Sequence, residues 1–491
     1  MKSPLLRVFF GSFFQNWLGF VLGPLCFTLS LLVSPGDIGL SEEAFAVIGM
    51  IVWMAVWWIA EAVPIPVTAL LPIILVPMLG IDTITATTSA YSNPLIYLFL
   101  GGFFLSIAME KWNLHKRIAL SCMKIVGTKP GNQLAGIMGV TAFLSMWMSN
   151  TATAVMMLPI AQCIIGLKKQ HSESKSDGFA KALLLGIAYA ASIGGVATLI
   201  GSPPNALLAG YLQKSYDISL GFSEWMLMGL PLSLVMLVVT WILLGKVLYR
   251  LDDASCENKT MSEACAKMLK DCGPMSKQEK LVLLIFVSVA LSWIFRPLIT
   301  QLTGLALDDT TIAILGVLAL FMVPTDLKGG RGVLAWEDAK KIPWGILLLF
   351  GGGLSLADQI QNTGLAEFIA SAVAGVSASA QPLLVLIMVV TVIVFLTEVT
   401  SNTATAAGFI PLLGPIALAL GGSLAPLLIG TTLGVSFAFM MPVATPPNSI
   451  VFSSGDLKIK DMMRAGFFLN ILSIVAIVLT ASTLVPLIFQ F

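Results

Sequence analysis

Charge is what this chain has least of. Only 11% of its 491 residues are Asp, Glu, Lys or Arg, where soluble domains carry about 25%, and 57% are hydrophobic. That balance excludes a soluble globular protein of this length. The net charge is +1, and no basic tract interleaved with aromatics occurs, so no nucleic-acid partner is expected. There are two His. Both, His115 and His171, fall in basic stretches outside the apolar runs, so no His is placed to serve a nucleophile or a metal at membrane depth, and an enzyme is not expected. The six Cys show no secretory pairing. Cys256, Cys265 and Cys272 lie in a polar loop without a nearby His, which argues against a metal site. The first apolar run ends in Ser34-Pro35-Gly36-Asp37, not in a small-x-small cleavage site, so a cleavable signal is not expected.

What is abundant is apolar sequence in bilayer-length runs, for example 17–33, 44–63, 281–295 and 465–489. The fold class they predict is an all-α polytopic membrane protein, with about eleven transmembrane helices plus two re-entrant hairpins. A basic, mixed stretch at 110–130 reads as an amphipathic helix on the cytoplasmic surface.

Two stretches interrupt the apolar runs: Ser149-Asn150-Thr151-Ala152-Thr153 and Ser401-Asn402-Thr403-Ala404-Thr405. Small polar residues at membrane depth are costly unless they have work to do, and Ser, Asn and Thr cap helix N-termini. Each stretch leads an apolar helical run expected to end at a proline, Pro159 or Pro411. They read as the tips of hairpins spanning 131–166 and 381–420. Two further spans are broken by prolines, at Gly201-Ser202-Pro203-Pro204-Asn205 and at Ala444-Thr445-Pro446-Pro447-Asn448.

The landmarks recur in the same order, at offsets of 250 (Gly101 to Gly351), 252 (Ser149 to Ser401) and 243 (Pro203 to Pro446), which marks an internal duplication. The first hairpin is flanked by Lys129, Lys168, Lys169 and Lys175, and the second has no base between Pro343 and Lys458. The positive-inside rule then makes the two copies an inverted repeat, with the N-terminus cytoplasmic, the C-terminus outside, and only Lys214 and Arg296 among the bases facing out.

Four interrupted helices at one depth offer amides suited to carboxylates, and carbonyl and hydroxyl oxygens suited to a small hard cation. Neither hairpin core nor either break contains Lys or Arg. A dianion entering would find dipoles but no positive side chain, so bound Na+ is expected to supply the charge.

The paired Ser-Asn-Thr tips and paired Pro-Pro-Asn breaks resemble the divalent anion/sodium symporter family, transporters of dicarboxylates and citrate, over essentially the whole chain. The resemblance implies a homodimer in a bacterial inner membrane, with a fixed scaffold (1–130 and 281–380), an elevator-like transport domain (131–250 and 381–491) and a cytoplasmic loop at 251–280. It implies one Na+ site at Ser145, Ser149, Asn150 and Gly201. A second falls at Thr397, Thr400, Asn402 and Ala444, with Thr400 giving its carbonyl. Asn150, Thr151, Asn402 and Thr403 would hold the substrate carboxylates, with Ser202, Pro203, Thr445 and Pro446 lining the pocket.

Of the residues left over, Glu398 is ionisable at membrane depth and expected to hydrogen-bond the hairpin backbone. Glu61 and Asp358 read as structural, Trp53, Trp57 and Trp58 as an interfacial or lipid-facing stripe, and Gly101-Gly102 and Gly351-Gly352-Gly353 as close helix packing. The expected activity is Na+-coupled symport of C4-dicarboxylates. The rival readings are a citrate or sulfate symporter, a Na+-independent dicarboxylate exchanger, a membrane enzyme and a passive channel.

Overall fold

The computed structural model describes residues 4–32, 39–126, 129–171, 176–251, 269–325, 332–377, 381–420 and 423–489. Cys256, Cys265, Lys175 and the side chains of Lys168, Lys169 and His171 lie outside the described residues. Those described are helical throughout, with one isolated bridge, Pro324 to Gly332, in place of any strand. Among the described residues six helices are long and apolar enough to cross a bilayer, or seven if the bent pair Lys277–Ile294 and Arg296–Thr303 counts as one.

The chain opens with α1 (Pro4–Leu32), α2 (Glu42–Ala60), α3 (Ile65–Thr68), α4 (Leu71–Met78) and α5 (Ile84–Ser89). A first succession of helices around the site runs α6 (Pro94–Lys111), α7 (Leu114–Ile125), α8 (Pro130–Ser145), α9 (Asn150–His171), α10 (Ser176–Val196), α11 (Pro203–Tyr216) and α12 (Phe222–Ile242). After α13 (Lys277–Ile294), α14 (Arg296–Thr303) and α15 (Asp309–Met322), the same succession returns. It runs α16 (Trp344–Asn362), α17 (Leu365–Ser377), α18 (Pro382–Leu396), α19 (Asn402–Ala419), α20 (Leu424–Ser436), α21 (Pro446–Phe452) and α22 (Ile459–Leu479), and α23 (Val485–Ile488) ends the chain. Proline at the first helical position starts α6, α8, α11, α18 and α21, where its missing N–H costs nothing.

Several expectations need correction. Pro159 does not end α9, nor Pro411 α19: both lie inside their helices, as does Pro415. In an apolar setting a kinked helix leaves fewer unpaired backbone groups than a broken one. Helix α5 starts on a Thr83 cap whose Oγ1 accepts from the Ala86 N–H. The short helix α17 is an addition to the expected elements, and it stands where α7 stands in the first succession.

The glycine motifs act through close approach. A Cβ on Gly101 would come within 2.6 Å of the Ala313 Cβ on α15, and one on Gly352 would collide with the Ala69 carbonyl oxygen. Of the three tryptophans expected at an interface or against lipid, Trp53 is half-buried, and Trp57 and Trp58 do not face lipid. Trp57 and Trp58 are buried; Trp57 stacks on Phe20 of α1 and donates to its carbonyl, and Trp58 donates to the Ile65 carbonyl. Their indole N–H groups find partners on packed backbone, so an interior seat satisfies them.

Candidate functional site

The two hairpin tips are built alike. Helix α8 stops at Ser145, four residues turn the chain, and α9 starts at Asn150; α18 stops at Leu396 and α19 starts at Asn402. Ser145 Oγ lies 2.5 Å from Asn150 Oδ1 and 2.7 Å from the Ala191 carbonyl. Thr397 Oγ1 lies 2.7 Å from Asn402 Oδ1 and 3.2 Å from the Val435 carbonyl. A hydroxyl owns one proton, so it can donate to only one of its two acceptors at a time. When it donates to the carbonyl, its own lone pairs and the Asn oxygen face each other, two oxygens without a proton between them. That pairing suits a small hard cation.

The broken spans repeat the device. Asn205 Nδ2 donates to the carbonyls of Gly195 (3.1 Å) and Thr198 (2.9 Å). Asn448 Nδ2 donates to those of Ala438 (3.2 Å) and Met441 (3.0 Å). Each Asn thus ties down carbonyls left over where its span unwinds, which is what holds a break open in apolar surroundings. The first break touches the end of α20: Ser202 Oγ and Ser436 Oγ are 3.4 Å apart.

Tips and breaks front one cavity of about 950 Å³. Asn150, Thr151, Ser202, Pro203, Asn402, Thr403, Thr445 and Pro446 all line it, and so do Ser149, Gly201, Thr400 and Ala444. Ser145 and Thr397 stand behind, fully buried, and reach the cavity only through Asn150 and Asn402. Among the described residues no Lys, Arg or His lines the cavity. Its one charged lining residue is Glu61, for which a merely structural role was expected. It caps α2 in the left-handed region (φ 46°) and stands on the cavity wall.

Glu398, next to Thr397, departs from its expected partner. Its carboxylate accepts not from its own hairpin but from the broken span beside it. The donors are the backbone N–H groups of Phe439 (2.7 Å), Met440 (2.9 and 3.0 Å) and Met441 (3.0 Å), joined by Asn470 Nδ2 (2.7 Å). Four donors on one buried carboxylate clamp the second tip, the second break and α22 into one block. In the first half Met146 occupies this place, and its carbonyl accepts from Thr198 Oγ1. Sequence reasoning singles out Glu398 but has no signal for its partners, because a backbone amide carries no residue identity.

The remaining candidate residues lie away from the cavity. Asp358 pairs with Lys214 at 2.6 Å, and Arg296 with Asp309 at 3.4 Å. His115, expected on the surface, is half-buried, its Nδ1 2.8 Å from the Met109 carbonyl. Burial, ahead of its neighbours, holds this imidazole below the usual pKa. Cys272 contributes only a backbone carbonyl, to Arg117. Among the described residues no group of three or more His, Cys, Asp or Glu could hold a metal ion.

The family model described as "Sodium:sulfate symporter transmembrane region" matches residues 15–490. A sodium-dependent dicarboxylate transporter, SdcS, of Staphylococcus saprophyticus is 40% identical over 480 residues, covering 95% of this chain and 91% of that protein. SdcS of Staphylococcus aureus is 39% identical over 484 residues, covering 96% and 91%. Among solved structures, MtrF of Neisseria gonorrhoeae superposes with a TM-score of 0.57 at 15% identity, over 80% of this chain and 83% of that one. The YdaH transporter of Alcanivorax borkumensis does so with 0.53 at 14%, over 82% and 86%. At such identities the two structures speak for the fold alone. The family match over nearly the whole chain and the two close relatives speak for descent, and the chain belongs to the sodium:sulfate (divalent anion/sodium) symporter family of integral membrane transporters.

Proposed function

We propose that the protein is a secondary active transporter that couples entry of C4-dicarboxylates such as succinate, malate or fumarate to Na+. The observation that carries this reading is the pairing of one-proton hydroxyls with Asn oxygens at both tips, around a cavity lined by no basic side chain among the described residues. Two carboxylates brought there would meet Glu61 and neutral donors, an electrostatic cost that bound cations offset. The relatives named as sodium-dependent dicarboxylate transporters support the choice of ion and substrate class.

In this reading Ser145, Ser149, Asn150 and the Gly201 carbonyl hold one Na+. Thr397, Asn402 and the carbonyls of Thr400 and Ala444 hold the other. The amide groups of Asn150 and Asn402 and the hydroxyls of Thr151 and Thr403 take the substrate carboxylates, with Ser202, Pro203, Thr445 and Pro446 forming the walls. Each Asn contacts both cation and anion, so binding of one favours the other, and that linkage is the physical root of coupling. The two halves form an inverted repeat, with the N-terminus cytoplasmic and the C-terminus outside. Residues 131–250 and 381–491 travel as a transport domain against a scaffold of 1–130 and 281–380, with 251–280 as a cytoplasmic loop. The unit is a homodimer in a bacterial plasma membrane.

Competition of labelled succinate against citrate and sulfate in proteoliposomes tests the substrate. Succinate, malate and fumarate are expected to displace the label, and displacement by citrate or sulfate alone would replace this reading with the rival symporter.

A further inference from the structure

We propose that Gly195 sets the size of the cation cradle at the first tip, and that this cradle is wider than the second by one methyl group. The inference rests on the reading of the tips as Na+ sites. Gly195 is fully buried and has no positive φ, so its backbone does not demand glycine. The space around it does. A Cβ built there would lie 2.7 Å from Asn150 Oδ1, 2.9 Å from the Gly201 carbonyl oxygen and 3.0 Å from Asn150 Nδ2. Two unprotonated oxygens from two candidate ligands therefore converge on the spot a methyl would take. In return, a Cβ on Gly201 would lie 2.6 Å from the Gly195 carbonyl, so neither glycine tolerates a side chain without moving the other.

The second half identifies the counterpart. Asn448 bridges the carbonyls of Ala438 and Met441 as Asn205 bridges those of Gly195 and Thr198. Ala438 thus stands where Gly195 stands, and carries the methyl that Gly195 lacks. A second asymmetry points the same way. Thr405 Oγ1 is bonded to Thr400 Oγ1 at 2.7 Å, whereas its equivalent, Thr153 Oγ1, is buried without a partner among the described residues, because Met148 replaces Thr400. The first tip lacks the methyl and keeps a hydroxyl without a partner; the second carries the methyl and has that hydroxyl bonded. Cavity size and ligand number set selectivity among hard cations, so the first cradle should admit larger ions and the second should favour smaller ones.

The test is thermal unfolding of the purified full-length protein in detergent, titrated with NaCl or LiCl at ionic strength held constant with choline chloride. The wild type should gain stability with Na+ cooperatively, with a Hill coefficient near two. Measured against its own midpoint in choline, Gly195→Ala should raise the Na+ concentration at half effect by about tenfold, flatten the titration, and improve the response to Li+ relative to Na+. Wild-type Na+ and Li+ titrations in Gly195→Ala would overturn the inference while leaving the Na+ reading intact. A wild type indifferent to Na+ would overturn the Na+ reading itself. If Gly195→Ala does not fold, Ala438→Gly replaces it: a weakened preference for Li+ supports the proposal, and an unchanged ion preference overturns it.

Discussion

At the scale of single residues, the site depends on oxygens held close together without enough protons to satisfy them all. Ser145 and Thr397 each face two acceptors, and Asn150 and Asn402 each present Oδ1 to one of these hydroxyls and to the cavity. Asn150→Ala and Asn402→Ala should therefore each abolish Na+-driven uptake while the protein still elutes as a folded species on size exclusion. Glu398 makes a different prediction. Glu398→Gln keeps the shape but replaces one acceptor oxygen by an NH2 group that faces two backbone N–H groups, leaving buried donors opposed. A loss of roughly 3–5 kcal/mol is expected, read as a fall in the thermal midpoint in detergent, with Na+ present or absent. The sequence marks Glu398 as unusual, because a carboxylate in an apolar run has to be explained. It cannot show the clamp, since Phe439, Met440 and Met441 contribute only main-chain amides from distant positions in the chain. The role of Glu61 is hidden for a similar reason: its place on the cavity wall comes from a left-handed cap geometry that its neighbours in sequence do not announce.

At the scale of elements, the legible parts are those marked by residues with strong local preferences. Both tips begin a helix within the expected Ser-Asn-Thr stretch, and both breaks resume at the expected Pro, which starts helices; Ser149 accepts from the Ala152 N–H, whereas Ser401 makes no side-chain cap bond. Pro159, Pro411 and Pro415 mislead, since a proline inside an apolar span competes with the cost of exposing backbone to lipid and loses. Helix α17 is hard to see because it carries one acidic residue, Glu367, and no base, so it lacks the charge contrast that marks α7. The glycine motifs are packing contacts, as their sequence context suggests, and they carry a prediction of their own. With the Ala69 carbonyl oxygen standing in the way of any Cβ, Gly352→Ala should force α3 and α16 apart and cost about 1–3 kcal/mol, measured by thermal unfolding. Gly139, with nothing within 4 Å of its Cβ position, is the matched control and should tolerate alanine.

At the scale of the whole molecule, composition alone places the chain in a membrane. The relative movement proposed for the two parts has a direct handle. Lys214 on α11 pairs with Asp358 on α16 at 2.6 Å, and this contact crosses from the proposed transport domain to the proposed scaffold. If those parts slide past each other, the pair must part in every cycle. Lys214→Cys with Asp358→Cys, in a chain cleared of its own six Cys, should transport until bridged by a short bifunctional thiol reagent and then stop. Undiminished transport after quantitative bridging would show that the boundary between moving and fixed parts lies elsewhere.

The central claim is that Na+ supplies the positive charge missing from this cavity, and uptake into proteoliposomes tests it most directly. Labelled succinate should accumulate above equilibrium when an inward Na+ gradient is imposed, and should fail to accumulate when choline replaces Na+. Equal accumulation in choline, driven by dicarboxylate preloaded inside the vesicles, would contradict the account and make the protein an exchanger.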